Sequence, residues 1–310
     1  MDAWTPEQIP DQSGRLAVVT GANSGLGLVT ARELARKGAH VVLAVRTPAK
    51  GEAAAQQIRS AAPGASLEVR ELDLGALASV RAFAAALTAE HPTLDLLVNN
   101  AGIMMTPAGK TADGHELQFG TNHLGHFALT GLLLEALTAA PAARVVTLSS
   151  IEHKPGHIHF DDLQLERGYA ARKAYQQSKI ANAIFGIELD RRLRASASPV
   201  LSVLAHPGYS ATNLQTSGPT GLLALAGRVG NAVIAQKVDR GALPQLHAAT
   251  APDVQGGQFF GPSGFQELRG DVTEVQAVPE ARDPEIAGRL WAVSEELTGV
   301  SYPLRVSTTR

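Results

Sequence analysis

Short apolar runs alternate along this chain with longer, Ala-rich segments of helical pattern. Continuous apolar runs of about four to eight residues predict strands that are buried on both faces. The predicted strands are Leu16–Thr20, His40–Val45, Leu67–Leu72, Leu94–Val98, Arg144–Leu148, Val200–Ala205 and Gln258–Phe260. The predicted helices are Gly25–Lys37, Pro48–Ser60, Leu77–Glu90, Glu116–Thr138 and a segment that ends near Arg194.

Strands that are separated by helices require crossover connections, which are typical of a parallel sheet covered on both faces. The sequence therefore predicts an α/β fold with three layers, a doubly wound parallel sheet of Rossmann type. No repeat or linker divides the pattern, so residues 1–310 are expected to form a single domain. Residues 208–238, rich in Gly, Ala and Leu, are expected to leave the sheet as a substrate lid, a subunit interface or a membrane-surface contact.

The amino-acid composition argues against several classes of function. With 310 residues, 45% of them hydrophobic, the chain can bury a sizeable core. The net charge of −2 and the lack of a dense basic stretch argue against nucleic-acid binding. The absence of Cys excludes disulfides, thiol nucleophiles and Cys-ligated zinc. The N-terminal segment lacks the apolar centre of a signal peptide, and no apolar run is long enough to span a membrane. We therefore expect a cytoplasmic protein. The sequence does not decide whether the protein is a monomer or a homo-oligomer.

The segment Thr20–Gly27 joins the first predicted strand to the first helix. Glycines at Gly21, Gly25 and Gly27 allow a tight turn that approaches a pyrophosphate, and the following helix N-terminus supplies N–H groups. The spacing G-x-x-x-G-x-G differs from the usual G-x-G-x-x-G fingerprint, so a plain strand-to-helix turn is the alternative. Its position on the first βα unit favours a nucleotide site that also includes Asn23, Ser24 and Leu26.

The end of the second strand bears on which nucleotide is bound. A carboxylate there would bind the adenosine ribose and repel a 2′-phosphate. The sequence Ala44-Val45-Arg46-Thr47 has no acid, and Arg46 can pair with a phosphate. This pattern predicts NADP(H) over NAD(H), with an ordinary surface arginine as the alternative. Asp73 and Leu74 follow the third strand, where they are expected to meet the adenine, although Asp is also a common turn residue.

Two Tyr-x-x-x-Lys pairs overlap in the later half of the chain: Tyr169 with Lys173, and Tyr175 with Lys179. Residues four apart share one face of a helix. An ammonium held near a phenol lowers the pKa of the phenol. Such a phenol can exchange a proton with an alcohol or a carbonyl near neutral pH. The spacing alone does not distinguish the two pairs.

The segment Asp95-Leu-Leu-Val-Asn99-Asn100-Ala101-Gly102 ends the fourth strand. Together with the glycine loop and a Tyr-x-x-x-Lys helix, it resembles the short-chain dehydrogenase/reductase family, in consistent order over roughly residues 14–265. Four stretches resemble the branch of retinol dehydrogenases and WW-domain oxidoreductases: Val42–Glu52, Phe119–Phe127, Ile158–Leu163 and Ser178–Phe185. The resemblance implies one NAD(P)(H)-binding domain in which Asn100, Ala101 and Gly102 back the cofactor. It also implies a preference for NADP(H) and an apolar, often lipid-like carbonyl or alcohol as substrate.

The same resemblance assigns the catalytic roles. Ser150, rather than Ser149, is placed to hydrogen-bond the substrate oxygen. Tyr175 is assigned as general acid/base, and Lys179 as the group that lowers its pKa and binds the ribose. Tyr169 follows a glycine at or before the helix start, so its pair with Lys173 is interpreted as a chance surface repeat.

Further residues of the expected site come from the neighbouring elements. In the family, an Asn at the position of Asn122 holds a water that relays protons from the lysine. Pro207, Gly208 and Thr212 follow the sixth strand, where the family contacts the nicotinamide; a simple chain reversal is the alternative there. No metal is predicted: the histidines at 153, 157 and 159 are interpreted as rim residues of the substrate entrance. The histidines at 123 and 126 are interpreted as packing or rim residues.

The sequence therefore predicts an oxidoreductase that interconverts an apolar carbonyl and its alcohol by hydride transfer from the C4 carbon of the nicotinamide. The alternative is a catalytically silent NADP(H)-binding sensor or scaffold protein. Such proteins usually lose the Tyr or the Lys, and Asn122, Ser150, Tyr175 and Lys179 are all present here. Their presence favours the enzyme.

Overall fold

The computed structural model describes residues 3–209 and 238–304, in which strands and helices alternate. The strands are β1 Leu16–Thr20, β2 His40–Val45, β3 Ser66–Glu71, β4 Leu96–Asn99, β5 Arg144–Leu148, β6 Leu201–Ala205, β7 Phe259–Pro262 and β8 Val272–Glu274. The helices are α1 Gly25–Arg36, α2 Pro48–Ala61, α3 Leu77–Glu90, α4 Leu117–Phe119, α5 Gly125–Ala139, α6 Ala171–Ala195, α7 Val238–Gly241, α8 Leu243–Thr250 and α9 Pro284–Thr298.

Within the described residues the strands form one eight-stranded sheet in the order β3-β2-β1-β4-β5-β6-β7-β8. Neighbouring strands from β3 to β7 pair in parallel, and β8 runs antiparallel to β7. The strand order reverses between β1 and β4. This is the switch point where Rossmann-type sheets open a ligand crevice at the carboxyl ends of their strands. The predicted fold class is confirmed.

The continuous apolar character of the strands follows from burial on both faces. In β1, Ala17 and Val19 pack into one core cluster, whereas Leu16 and Val18 pack into the cluster on the opposite face. Successive side chains of a strand point to opposite faces, so a strand covered by helices on both sides needs apolar residues at every position. The sheet and its two helical layers form the predicted three-layer arrangement.

Three features depart from the predicted elements. The helical segment that begins at α4 is not a regular α-helix, because a π turn, Gly120–Leu124, joins α4 to α5. Strand β8 was not predicted, because its sequence Val-Thr-Glu is too short and too polar to form an apolar run. Helix α9 follows the last predicted strand and was not predicted either. The expected excursion at 208–238 falls almost entirely outside the described residues. None of the helices that the structure describes is both long and apolar enough to cross a membrane.

Candidate active site

The glycine loop between β1 and α1 packs so closely against itself and against the segment after β4 that it leaves no room for side chains at two of its glycines. Gly21 has a φ of +67° and a Cβ built on it would lie 3.0 Å from the Ala101 Cβ atom. A Cβ on Gly27 would lie 2.5 Å from both the Gly21 carbonyl oxygen and the Asn100 Nδ2 atom. The loop therefore needs glycine at both positions, because any side chain would separate α1 from β4.

The start of α1 has the character of an anion site. Ser24 is the N-cap residue, its side chain makes no capping hydrogen bond, and the first turn carries no acid. Among the described residues no side chain satisfies the N–H groups of this turn, and a phosphate can accept hydrogen bonds from them. Asn23 and Ser24 are partly exposed beside this turn and Leu26 is buried under it. These residues fit a dinucleotide pyrophosphate.

Thr20 ties the glycine loop to the segment that follows β4. Its Oγ1 atom accepts hydrogen bonds from the backbone N–H groups of Asn100 and Ala101, both at 2.9 Å. The Asn100 side chain donates in return to the Thr20 carbonyl at 2.7 Å. The two strand ends that flank the switch point are therefore held together by three hydrogen bonds.

His126 extends this network to Asn122. The His126 Nδ1 atom lies 2.9 Å from the Asn122 carbonyl, which can only accept, so Nδ1 carries the hydrogen. The Nε2 atom then accepts from the Thr20 hydroxyl at 2.9 Å. Burial lowers the pKa of His126 to about 4, which keeps the ring neutral. The interpretation of His126 as packing missed this link, although its position one helical turn after Asn122 could have indicated it.

Ser150, Tyr175 and Lys179 converge at the carboxyl end of β5. Ser150 is the N-cap residue of a short turn, where its hydroxyl accepts from the Glu152 N–H at 3.2 Å and lies near enough to the Tyr175 phenol to lower the pKa of that phenol. One turn further along α6, the Lys179 Nζ atom lies 5.7 Å from the centre of the Tyr175 ring. The Ser149 hydroxyl donates instead to the Lys179 carbonyl at 2.8 Å. This difference favours Ser150 over Ser149 as the hydroxyl that faces the substrate.

Burial dominates the titration of both ionisable groups. It raises the pKa of Tyr175 to about 12; the nearby Ser150 hydroxyl opposes this shift and the Glu152 carboxylate adds to it. It lowers the pKa of Lys179 to about 8. Lys179 is not among the causes of this shift, and its lowering of the pKa of Tyr175 stays a prediction, whereas loss of solvation dominates the pKa here. The phenol is protonated at neutral pH.

Asn122 lies in the π turn and fixes the chain that follows Gly102. Its amide accepts from the Ile103 N–H at 2.8 Å and donates to the Ile103 carbonyl at 2.9 Å and to the Ser178 hydroxyl at 2.9 Å. A Cβ on Gly102 would lie 3.3 Å from Asn122 Oδ1 and 3.6 Å from Lys179 Nζ. Because Gly102 has no side chain, the backbone at this position can lie close to the Lys179 ammonium group. π turns often occur at functional sites.

The remaining predicted cofactor residues lie at the ends of neighbouring strands. The exposed Arg46 follows β2 and makes no hydrogen bond or ion pair with the described residues. The Asp73 carboxylate accepts from the Gly75 N–H at 2.9 Å, as in an ordinary turn, and Leu74 is buried in the core. Pro207 and Gly208 follow β6 at the same edge of the sheet. Thr212 lies outside the described residues.

Tyr169 has a structural role that the sequence interpretation missed. It precedes the first residue of α6, as expected, but its half-buried hydroxyl donates to the Thr106 carbonyl at 2.8 Å and accepts from Gln118 at 3.0 Å. The interpretation as a chance surface repeat is therefore wrong for Tyr169. His153 is fully buried and binds the Ser150 carbonyl at 2.6 Å, so it does not line the entrance.

The fold and the site together define a nicotinamide-dependent oxidoreductase: a Rossmann-type sheet, an anion site at its first helix, and a Ser-Tyr-Lys group at the same edge. Residues 15–220 match the family model described as short chain dehydrogenase. The chain therefore belongs to the short-chain dehydrogenase family, and it is an NAD(P)-dependent dehydrogenase that acts on CH–OH groups.

Similar proteins fall in the branch that the sequence indicated. Retinol dehydrogenase 12 of Mus musculus is 43% identical over 300 residues, which cover 96% of this chain and 90% of the relative. A crystal structure of an uncharacterised protein from Mycobacterium paratuberculosis is 46% identical, with a TM-score of 0.82, covering 98% of this chain and 100% of that one. The Pseudomonas aeruginosa RhlG/NADP active-site complex is 25% identical, with a TM-score of 0.63, and the match covers 80% of this chain and 94% of that one. The resemblance to the retinol dehydrogenase branch is confirmed.

Proposed function

We propose that this protein is an NADP(H)-dependent oxidoreductase that interconverts an apolar carbonyl compound and its alcohol, with Tyr175 as general acid/base. The observation that carries the proposal is that the Ser150 hydroxyl and the Tyr175 phenol lie side by side at the carboxyl end of β5, one helical turn from Lys179. Gly102, which follows β4, lies next to this group, because a Cβ built on it would be 3.6 Å from Lys179 Nζ. The site thus has a proton donor, a group that orients an oxygen and a cation in one place.

In the reductive direction each side chain has a distinct task. A bound nicotinamide cofactor supplies the hydride. The Ser150 hydroxyl donates a hydrogen bond to the carbonyl oxygen and orients it. Tyr175, protonated at neutral pH, gives its proton to that oxygen. Lys179 donates to the Leu148 carbonyl at 3.3 Å and has further N–H donors for a ribose hydroxyl; its charge stabilises the phenolate that forms.

An apolar substrate is supported by the surroundings of the expected lid. Tyr209 and Phe265 are the large hydrophobic side chains that stand out as exposed among the described residues, at 36% and 80%. The Tyr209 N–H donates to the Leu268 carbonyl at 2.8 Å, so both aromatic residues flank the point where the Gly-, Ala- and Leu-rich excursion begins. Apolar side chains at the mouth of a site favour an apolar ligand. A relative named as a retinol dehydrogenase agrees with this class of substrate.

The preference for NADP(H) rests on Arg46. Backbone hydrogen bonds hold the ends of the first three strands together: the Gly21 N–H donates to the Ala44 carbonyl at 2.8 Å and the Leu72 N–H to the Val45 carbonyl at 2.9 Å. Arg46 directly follows β2 at this edge of the sheet, so it would be placed to hold the adenosine end of a dinucleotide bound at the start of α1. A 2′-phosphate would pair with it. The similar RhlG structure has NADP in its active site.

Replacement of Arg46 tests the cofactor preference. Because a charge-assisted hydrogen bond contributes about 1.5–3 kcal/mol, Arg46→Ala should lower kcat/KM for NADPH by about 10- to 100-fold and leave that for NADH nearly unchanged. Arg59→Ala, which removes an exposed charge from the far end of α2, is the matched control. A wild-type protein that prefers NADH would overturn the assignment.

The reaction itself is tested by loss of NADPH absorbance with a panel of apolar aldehydes and ketones. Ser150→Ala should lower kcat by about 100-fold or more, because it removes the group that orients the oxygen. Ser149→Ala should retain most of the activity, since that hydroxyl binds the Lys179 backbone. NADPH binding without turnover on any compound would favour the silent sensor instead.

A further inference from the structure

Two histidines and a glutamate meet at the outer edge of the sheet, away from the catalytic crevice. His40 begins β2, Glu68 lies on β3 and His91 directly follows α3. The Nε2 atoms of His40 and His91 lie 3.4 and 3.2 Å from the same oxygen, Oε2 of Glu68. Among residues 3–209 and 238–304, this is the one group of three such side chains whose potential ligand atoms all lie within 4.8 Å of one another.

Two of the three separations between these ligand atoms suit a tetrahedral metal site. Zinc binds imidazole nitrogen and carboxylate oxygen at about 2.0–2.2 Å, which puts neighbouring ligand atoms of a tetrahedron roughly 3.3–3.5 Å apart. Both nitrogen–oxygen separations to Glu68 Oε2 are close to this range. We propose that His40, Glu68 and His91 bind one divalent cation of the zinc type. With side chains of His40, Glu68 and His91 exposed by 34%, 26% and 28%, the fourth position faces water.

The neighbouring contacts orient the three ligands. The His40 Nδ1 atom lies 2.7 Å from the Ser66 hydroxyl, which leaves Nε2 directed at Glu68. Arg70 forms an ion pair with Oε1 of Glu68, so that Oε2 is left to the two imidazoles. Metal-binding histidines and carboxylates usually have such partners on their other atoms. The positive charge of Arg70 is offset because the guanidinium also pairs with Glu90 at 2.6 Å.

The location indicates a stabilising role and not a catalytic one. The six-residue strand β2 begins at His40 and ends at Val45, which directly precedes Arg46. Roughly 17 Å of strand therefore separates this cluster from the cofactor edge. The cation would join two strands and the end of a helix that packs beside them. Because it binds only the folded chain, it would raise the unfolding temperature.

The test uses the full chain after treatment with a chelator. Calorimetric titration with ZnCl₂ should show one bound equivalent, and thermal unfolding should shift upward with Zn²⁺ but not with Mg²⁺, which prefers oxygen ligands. Loss of a residue that only hydrogen-bonds a metal ligand typically weakens metal binding by about 10- to 100-fold. Ser66→Ala, which removes the partner of His40, should therefore weaken Zn²⁺ binding by about tenfold. His40→Gln and His91→Gln each remove a ligand and should weaken it by about 100-fold or more.

His157→Gln is the matched control. His157 pairs with Glu280 at 2.6 Å and has similar chemistry, but residues 3–209 and 238–304 place no third ligand beside this pair, so the loss of His157 should leave Zn²⁺ affinity unchanged. Thermal unfolding of each metal-free variant shows whether it is folded. The spectrum of the Co²⁺-substituted wild type gives a second measurement, with intense visible bands expected for tetrahedral ligation. No binding at millimolar Zn²⁺, unchanged affinity in both cluster variants, or an octahedral Co²⁺ spectrum would overturn the proposal.

Discussion

Replacing Tyr175 and Tyr169 by Phe, one at a time, removes a single hydroxyl from each of two tyrosines that share the same sequence motif. In the structure the two hydroxyls have different partners. Tyr175 lies beside the Ser150 hydroxyl at the end of β5, whereas the Tyr169 hydroxyl donates to the Thr106 carbonyl and accepts from the Gln118 amide ahead of α6. The same chemical change should therefore affect catalysis in one variant and stability in the other.

The magnitudes follow from these partners. Tyr175→Phe removes the proton donor, which typically contributes about 10²- to 10⁴-fold to the rate. Its effect on stability should stay below about 1 kcal/mol, because the Ser150 hydroxyl keeps its bond to the Glu152 N–H. Tyr169→Phe breaks two hydrogen bonds; Gln118 still donates to the Ala171 carbonyl at 2.9 Å, but the Thr106 carbonyl loses a donor. The expected loss in the free energy of unfolding is about 1–3 kcal/mol.

Two measurements on each variant test the reasoning. Steady-state turnover at saturating NADPH gives kcat, and urea unfolding gives the free energy of unfolding. We expect Tyr175→Phe to lose turnover with nearly wild-type stability, and Tyr169→Phe to lose stability with turnover within about tenfold of wild type. If Tyr169→Phe abolishes turnover while Tyr175→Phe does not, the assignment of the proton donor is wrong.

Two further predictions concern buried polar groups. Burial lowers the pKa of Lys179 from 10.5 to about 8, so the unfolded chain binds more protons between these values and stability rises with pH across that interval. Lys179→Met should therefore be more stable than wild type at pH 7 by up to about 3 kcal/mol. Urea unfolding should show that this difference in stability shrinks toward pH 10. Equal stability of the two proteins at pH 7 would contradict the prediction. Thr20→Val removes the acceptor of the Ala101 N–H and the donor to His126 Nε2, whereas the Asn100 N–H keeps the Val98 carbonyl at 2.9 Å, so the change should cost about 2–6 kcal/mol. Thr147→Val, at a buried hydroxyl with no described partner, should be nearly neutral in the same assay.

Much of this protein could be predicted from local sequence. The strands were identifiable because a sheet covered on both faces needs apolar residues at every position, and β1, β2 and β5 lie where the pattern placed them. The glycine loop was identifiable because close backbone approach leaves room only for glycine. Strand β8 and the π turn were not, since a three-residue polar edge strand and an inserted helical residue leave no periodic signal.

The sequence alone also favoured Tyr175 over Tyr169, because position in the helix and the surrounding motif are local properties. The tertiary structure decided what no local pattern contains. Burial, not the neighbouring lysine, dominates the pKa of the Tyr175 phenol, and burial depends on elements far away in the chain. Likewise His126 contacts Thr20, and His40 meets Glu68 and His91, only because folding brings three separate elements together. Distances and loss of solvation arise between residues distant in sequence, so they become visible only in the folded chain.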